Sequence, residues 1–374
     1  MRIEIKALDT LFFKDGKPFT MGENHWTDSI FPPNLSTIYG AIRTAYFIGN
    51  MELFQKLQNN KELNTEKDPT KKLKITKLFY KINDGRNDGN YYNMPLDLVE
   101  LKDISELLVK RERENKKYRV YPLRIKENKY ANTNPLKYLL YFDEHVKAIS
   151  DGIIHENEIE DYINGNLEDI EICKMSDYLC DEPKVGIGLD KSTRTSKDSR
   201  LYRVDFKRLK EMSLIVEFEG IELNKKGVIR LGGEGKYAVY EDDSSIIEPY
   251  EFEIDSITNN RFKVTLMTQA IFENGWLPKD IDEEKFILEN DKFKIKLVAA
   301  SVGKYSLIGG YDMAKNEPKP MLKAVPAGST YFFEILGGET KDIIRYFHLK
   351  SVSDKMQEEG YGISFVSKWG DQNV

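Results

Sequence analysis

The sequence predicts an α+β protein built from two sheet-plus-helix units in tandem, and three observations carry that prediction. Apolar and polar residues alternate in several stretches, as half-buried strands require. Two other segments, 36–49 and 340–349, repeat apolar residues at three- and four-residue spacing, the period of a helix. Both patterns occur before and again after about residue 250, and 374 residues is more than one core usually supports.

The elements follow in order. Ile3 and Ile5 alternate with Arg2, Glu4 and Lys6, which gives a strand over 2–8. Lys14 to Pro18 (KDGKP) is turn chemistry, since Asp-Gly tolerates positive φ and Pro18 fixes the exit. Ser36 is a natural N-cap for a helix whose apolar positions are Ile38, Ala41, Ile42 and Ala45. Arg43 falls beside that stripe, so either it snorkels to solvent or its charge has a use. Gly40 costs up to about 1 kcal/mol relative to Ala, which points to a close approach to the backbone there. A strand at 73–82 follows, and the run of strand, long loop, helix and strand is the opening of a ferredoxin-like domain.

Residues 83–185 read as an insertion with turn signals and helical stretches near 97–115 and 158–181. Residues 199–209 and 212–220 alternate cleanly and read as adjacent strands, and 226–241 as a glycine loop followed by a strand. The second unit has strands at 260–270, 293–302 and 329–336, a short helix at 340–349 capped by Thr340, and a closing glycine turn and strand at 360–369. The expected domains are therefore 1–249 and 250–374.

Composition narrows the function classes. Hydrophobic residues make up 40% of the chain and charged residues 32%, and no run reaches the eighteen apolar residues of a membrane span. The first ten residues alternate rather than form a signal core, so the expectation is a soluble cytoplasmic protein without membrane contact. Cys173 and Cys180 match no zinc or redox spacing, and His25, His145, His155 and His348 show no zinc-protease pattern. No metal or cofactor is expected.

The net charge of −6 is unevenly spread. Lys184 to Lys210 holds nine Lys/Arg against three Asp, Lys110 to Lys129 holds nine against three acids, and Asp151 to Glu182 holds eleven carboxylates and one lysine. Such blocks suggest an anionic ligand on one face, with solvated loops as the alternative.

Two motifs carry chemistry. Leu231-Gly232-Gly233-Glu234-Gly235-Lys236 permits positive φ and exposes backbone N–H groups to a phosphate, although a plain hairpin turn has the same composition. It is neither a P-loop nor a dinucleotide fingerprint, because no Ser/Thr follows Lys236 and a strand, not a helix, comes next. Residues 186–206 stud a hydroxyl-rich stretch with Lys191, Arg194, Lys197 and Arg200, which is expected to stay mobile until it meets an anion. Tyr202 and Phe206 either stack bases or face the core. For catalysis only His25 stands near a suggestive motif, with no second acid or base beside it, and Asp280, Asp282, Glu283 and Glu284 read as a solvated loop or helix start.

DTLFFKDGKPFTMG (9–22), SIFPPNLSTIYGAIRTAYF (29–47), VGIGLDKSTRTSKDSRLYRVDF (185–206), RLGGEGKYAVY (230–240) and GYGISFVSKW (360–369) together resemble, in order, the family of the third subunit of the Cmr complex. That complex is the type III-B CRISPR effector, and the family lies in the RAMP superfamily. The resemblance spans nearly the whole chain and leaves the acidic block at 151–182 unmatched. It implies two tandem ferredoxin-like, RRM-related domains with a large insertion in the first. It implies a noncatalytic protein that binds the repeat-derived 5′ tag of the guide RNA and caps the complex beside the large polymerase-like subunit, with the repeated backbone RAMP subunit as a further partner. The RNA-binding set it implies here is Lys14, Ser36, Tyr39, Arg43, Lys191, Arg194, Lys197, Arg200, Gly232, Gly233, Gly235 and Lys236. The rival reading is a RAMP endoribonuclease that processes precursor guide RNA with His25 as acid or base.

Overall fold

A computed structural model describes residues 1–14, 26–102, 116–129, 135–189, 196–243, 257, 259–312 and 317–369. Among these the fold is mixed α/β and rich in strands. The chain gathers into two units, each discontinuous: unit 1 comprises Met1–Ile75, Tyr178–Ser245 and Leu307–Leu322, and unit 2 comprises Thr76–Asp177, Ile246–Ser306 and Lys323–Val374.

In unit 1 the alternation at the start of the chain forms β1 (Arg2–Ala7), whose Ile3 and Ile5 are buried. Helix α1 (Leu35–Ile48) buries Ile38, Ala41, Ile42 and Ala45, the stripe that the spacing predicts. Its first backbone bonds run from Thr37 and Ile38 N–H to the Asn34 carbonyl. Asn34 therefore holds the cap position without a side-chain bond, and Ser36 sits inside the first turn instead of capping it. A Cβ at Gly40 would meet nothing within 4 Å, so the close approach expected there is not found among the described residues. A second helix, α2 (Met51–Asn59), follows, and the chain then passes into unit 2 within β2 (Lys74–Ile82).

Unit 1 resumes with a long antiparallel hairpin, β6 (Leu179–Leu189) against β7 (Ser196–Leu209), in register from Leu179↔Leu209 to Leu189↔Ser196 with one bulge. β7 and the next strand, β8 (Met212–Glu219), are consecutive but not partners as the sequence suggested: β7 pairs with β6, whereas β8 pairs with β1. Glu211, at φ 55°, turns the chain between them. Two more strands, β9 (Lys226–Arg230) and β10 (Tyr237–Asp242), form a hairpin, and β10 pairs with the other side of β1. The order across this part of the sheet is β9-β10-β1-β8, all antiparallel.

Unit 2 is centred on β11 (Arg261–Leu266), β12 (Phe293–Ser301), β13 (Thr330–Gly338) and β14 (Ile363–Lys368), in the order β12-β13-β11-β14 and antiparallel throughout. Helix α4 (Thr340–Phe347) packs Phe347 against Phe262 and Phe333, which stack at 5.3 Å. Its cap position is Glu339, and Thr340 is its first residue.

The middle of the chain adds β3 (Gly89–Asn93), β4 (Gly152–His155) and β5 (Glu171–Lys174) in an antiparallel ladder, with α3 (Glu156–Asn164). The helices expected near 97–115 and 158–181 are corrected accordingly. Residues 98–101 are a strand, 103–115 lie outside the described residues, and α3 ends at left-handed Gly165 (φ 83°) before β5 begins.

One polar knot lies inside unit 2. Lys263 Nζ meets Asp97 Oδ2 at 3.1 Å with 2% of either side chain exposed. Tyr162 OH donates to Asp97 Oδ1 at 2.7 Å, and the ammonium sits 3.8 Å from the Tyr162 ring centroid. Burial pushes the Lys263 ammonium down, opposed by the Asp97 carboxylate.

Candidate nucleic-acid interface

The glycine motif is the turn of the β9–β10 hairpin, closed by Leu231 N–H to the Lys236 carbonyl at 3.1 Å. Gly232 has φ 86°, and a Cβ there would lie 2.4 Å from the Phe12 carbonyl oxygen. Gly233 N–H donates to that same oxygen at 2.9 Å. Gly235, at φ 64°, has nothing within 4 Å of a Cβ and faces open space.

Residues 11–14 form the hub onto which this turn folds. Leu11 exchanges backbone bonds with Lys207 of β7, Phe13 N–H donates to Ser29 Oγ at 2.9 Å, and Lys14, exposed, bridges to Ser29. Phe13 also packs against Phe31, at the approach to α1.

The charges around the hub form a linked cluster. Lys236 Nζ lies 3.0 Å from Thr10 Oγ1, 3.3 Å from Asp9 Oδ2 and 4.7 Å from the Phe206 ring centroid. Lys184 Nζ stands at the same distance from that ring. Arg208 donates to Asp9 at 2.8 Å and to Glu182. The Thr10 backbone N–H, Arg208 and Lys236 together hold the Asp9 carboxyl down at about 2. Asp9, 55% exposed, is thus a solvated counter-ion for two cations, and an arriving phosphate has the charge to take its place. Phe206 itself is buried with Phe12 and Val204, which decides between its two readings in favour of the core.

Tyr39 and Arg43 gather elsewhere in unit 1, around Thr70. Arg43 Nε donates to Thr70 Oγ1 at 2.8 Å, and its terminal nitrogen donates to Asn64 Oδ1 at 2.8 Å and Asp68 Oδ2 at 2.9 Å. Tyr39 OH donates to the Thr70 carbonyl at 3.4 Å. Burial alone would raise the Asp68 carboxyl, but hydrogen bonds from Thr70 and Asn64 and the Arg43 charge outweigh it and hold it below its ordinary value. The guanidinium keeps 27% of its side chain exposed.

Of the basic segment, Lys191 and Arg194 lie outside the described residues, as does His25. Lys197 and Arg200 have their backbone in β7. The stretch 186–206 is therefore not an unpaired segment on either side of 190–195: Gly186↔Tyr202 and Ile187↔Leu201 continue the ladder, which satisfies backbone groups without requiring apolar side chains.

The structure thus brings Gly232, Gly233 and Lys236 together against residues 9–12, with Gly235 facing open space, while Lys14 follows in the chain, bridged to Ser29. Sequence reasoning missed Asp9, Lys184 and Arg208, whose partners are distant in the chain. Among the carboxylates at 280–284, Asp282 accepts from the Glu284 and Lys285 N–H groups, which makes that segment a turn.

The family described as CRISPR-associated protein (Cas_Cmr3) matches residues 3–369. The CRISPR system CMR subunit Cmr3 of Saccharolobus solfataricus is 25% identical over 174 residues, which are 46% of this chain and 49% of that protein, so the match spans about half of the relative's length. Chains in two cryo-EM structures of the type III-B Cmr-beta complex are similar over 92% of this chain and 88% of theirs. One is bound to cognate target RNA and AMPPnP (18% identity, TM-score 0.47) and the other to cognate target RNA (17%, 0.48). A chain of the Csm3–Csm4 subcomplex of the type III-A interference complex is similar over 91% of this chain and 95% of its own, at 16% identity and a TM-score of 0.35.

Proposed function

The chain belongs to the CRISPR-associated Cmr3 family, and from that premise we propose that it is a noncatalytic subunit of a type III-B RNA-guided effector in antiviral defence. It binds the 5′ repeat-derived tag of the guide RNA and caps the complex beside the large polymerase-like subunit, next to the repeated backbone subunit. The observation that carries the tag-binding part is the glycine turn folded onto Phe12, with exposed Gly233 and Gly235 and the linked cations Lys184, Lys236 and Arg208 beside it.

The Gly233 N–H is held by the Phe12 carbonyl, so it is the open approach at Gly235 and the lysines near an exchangeable carboxylate that suit a sugar-phosphate strand, which is positioned by charge and not by base identity. Ser36 in the first turn of α1, Tyr39 and Arg43 are a second proposed contact, apart from the glycine turn; Arg43 is held in one orientation by Asp68 and Thr70, and a preorganised guanidinium suits a phosphate. Lys191, Arg194, Lys197 and Arg200 of the basic segment are further cations in this proposal, as contacts to the same RNA.

The strand order supports two ferredoxin-like, RAMP-type domains, with the proposed boundary near residue 250 and residues 83–185 as an insertion in the first. In unit 2 the first strand in sequence lies between the third and the fourth, and the second lies outside the third. In unit 1 β1 likewise lies between β8 and β10.

Ultraviolet crosslinking of the guide RNA in the reconstituted complex, followed by mass spectrometry of this chain, tests the reading. Crosslinks from the 5′ tag to peptides containing residues 36–47 and 186–206 are expected. Tag crosslinks confined to other subunits would overturn it.

A further inference from the structure

Strand β9 carries a feature that RNA binding does not use. It is the outermost strand of its sheet, and among the described residues nothing pairs with its free edge. Asp242 N–H donates to the Lys225 carbonyl and Leu231 N–H to the Lys236 carbonyl, with Gly227↔Tyr240 and Ile229↔Ala238 in register between them. In an antiparallel ladder the hydrogen-bonded pairs alternate, so residues 225, 227, 229 and 231 point their backbone groups at β10. The N–H and C=O groups of Lys226, Val228 and Arg230 consequently point outward.

The side chains of the same three residues are exposed, Val228 at 51%. Val228 faces Val239 across the hairpin, and Arg230 faces Tyr237, which is 50% exposed. Leu8, 61% exposed, lies beside Tyr237, whose carbonyl accepts from Leu8 N–H at 3.5 Å. An apolar diagonal therefore crosses the open face of β9, β10 and β1, flanked by exposed Arg230 and by exposed Lys226, which has Glu241 opposite it on β10.

We propose that β9 is a docking edge for a protein partner: an extended segment that adds as a strand, with an apolar residue over Val228 and carboxylates toward Lys226 and Arg230. A second copy of this chain does not suit the edge, because antiparallel pairing about Val228 sets Lys226 opposite Arg230, like against like. A nucleic-acid strand does not suit it either, since half of the ladder is carbonyl oxygen, which repels phosphate. An acidic-apolar strand meets both the ladder and the charge.

The inference rests on the chain acting within a multi-subunit complex, and its test reads that separately from tag binding. Hydrogen exchange is measured at the amides of Lys226, Val228 and Arg230 in the free chain and in the reconstituted complex. Slowing by tenfold or more on adding the protein subunits is expected. Val228→Pro deletes one outward N–H without touching a bond to β10, and is expected to weaken subunit association roughly tenfold while the chain stays folded. Lys226→Glu combined with Arg230→Glu, which leaves the backbone intact, is expected to do the same. Unchanged exchange, or normal association of both folded variants, would overturn the proposal. So would protection that arises from guide RNA alone, or from raising the concentration of this chain alone. If tag crosslinks persist while β9 stays unprotected, only this inference falls.

Discussion

Asp97 and Lys263 of unit 2 meet at 3.1 Å with 2% of either side chain exposed, whereas Asp9 and Lys236 of unit 1 meet at 3.3 Å with 55% and 16% exposed. The functional groups and distances are nearly the same, yet the consequences differ. A carboxylate and an ammonium in the core hold each other because neither has water to return to, and Tyr162 satisfies a further carboxylate position. The pair beside the glycine turn keeps its access to solvent, so its attraction is screened and its partners can be exchanged. Burial, not pairing, separates an ionic contact that fixes a fold from one that is available to a ligand.

Asp97→Ala breaks the comparison at its strong end. It leaves the Lys263 ammonium buried without its counter-ion and is expected to cost about 3–5 kcal/mol. Urea denaturation followed by the near-ultraviolet signal checks it, and a loss below about 1 kcal/mol would place the pair with the solvated kind.

Gly232→Ala is next, because it demands φ 86° of a residue with a Cβ and sets that Cβ 2.4 Å from the Phe12 oxygen. The expected cost is about 2–3 kcal/mol, against about 1 for Gly235→Ala, where only the backbone angle resists; thermal melts of the two variants side by side decide it.

Arg43→Ala lies between the two regimes. Removing hydrogen bonds to a buried carboxylate from a side chain that is 27% exposed is expected to cost about 1–2 kcal/mol. If Arg43 also touches the tag, the variant lowers guide-RNA retention beyond what its melting shift explains.

Asp9→Asn sharpens the weak end. Its effect on stability is expected to be the smallest of the five, while release of Lys236 and Arg208 is expected to raise guide-RNA retention at low salt and steepen the salt dependence by about one phosphate equivalent. The acid limb shows the same contact from another side. The folded-state carboxyl lies at about 2, below its ordinary 3.8, so its contribution is complete above 3.8 and is lost as pH falls toward 2. Acid titration of Asp9→Asn is expected to lack that portion of the slope.

Much of the fold was legible from local pattern. Strands expected at 2–8, 73–82 and 293–302 appear at 2–7, 74–82 and 293–301, and the helix expected at 36–49 runs from 35 to 48, because each of these faces a core on one side and shows it as a period. Residues 83–177 hid their strands because β3, β4 and β5 are only four or five residues long and show no sustained alternation. The glycine turn was legible as composition, but its reason was not: Gly232 is required by the Phe12 carbonyl, which no local window contains. Arg43 was rightly singled out as a charge out of place, and its partners at 64–70 became visible only when the loop folded back. Asp97 gave no signal at all, since its partner is 166 residues away.

The position of β1 bears on how the protein is made. Its two neighbours among the described residues, β8 and β10, begin at residues 212 and 237, so this strand waits for both of them until about two hundred further residues have been made. At ordinary rates of translation that wait is roughly ten to forty seconds. The middle of the chain waits too: Leu96 N–H donates to the Gly328 carbonyl, which is synthesised far later. Until β8 and β10 exist, Ile3 and Ile5 lack the sheet that buries them, and that interval of exposed apolar surface is when such a chain is most open to aggregation.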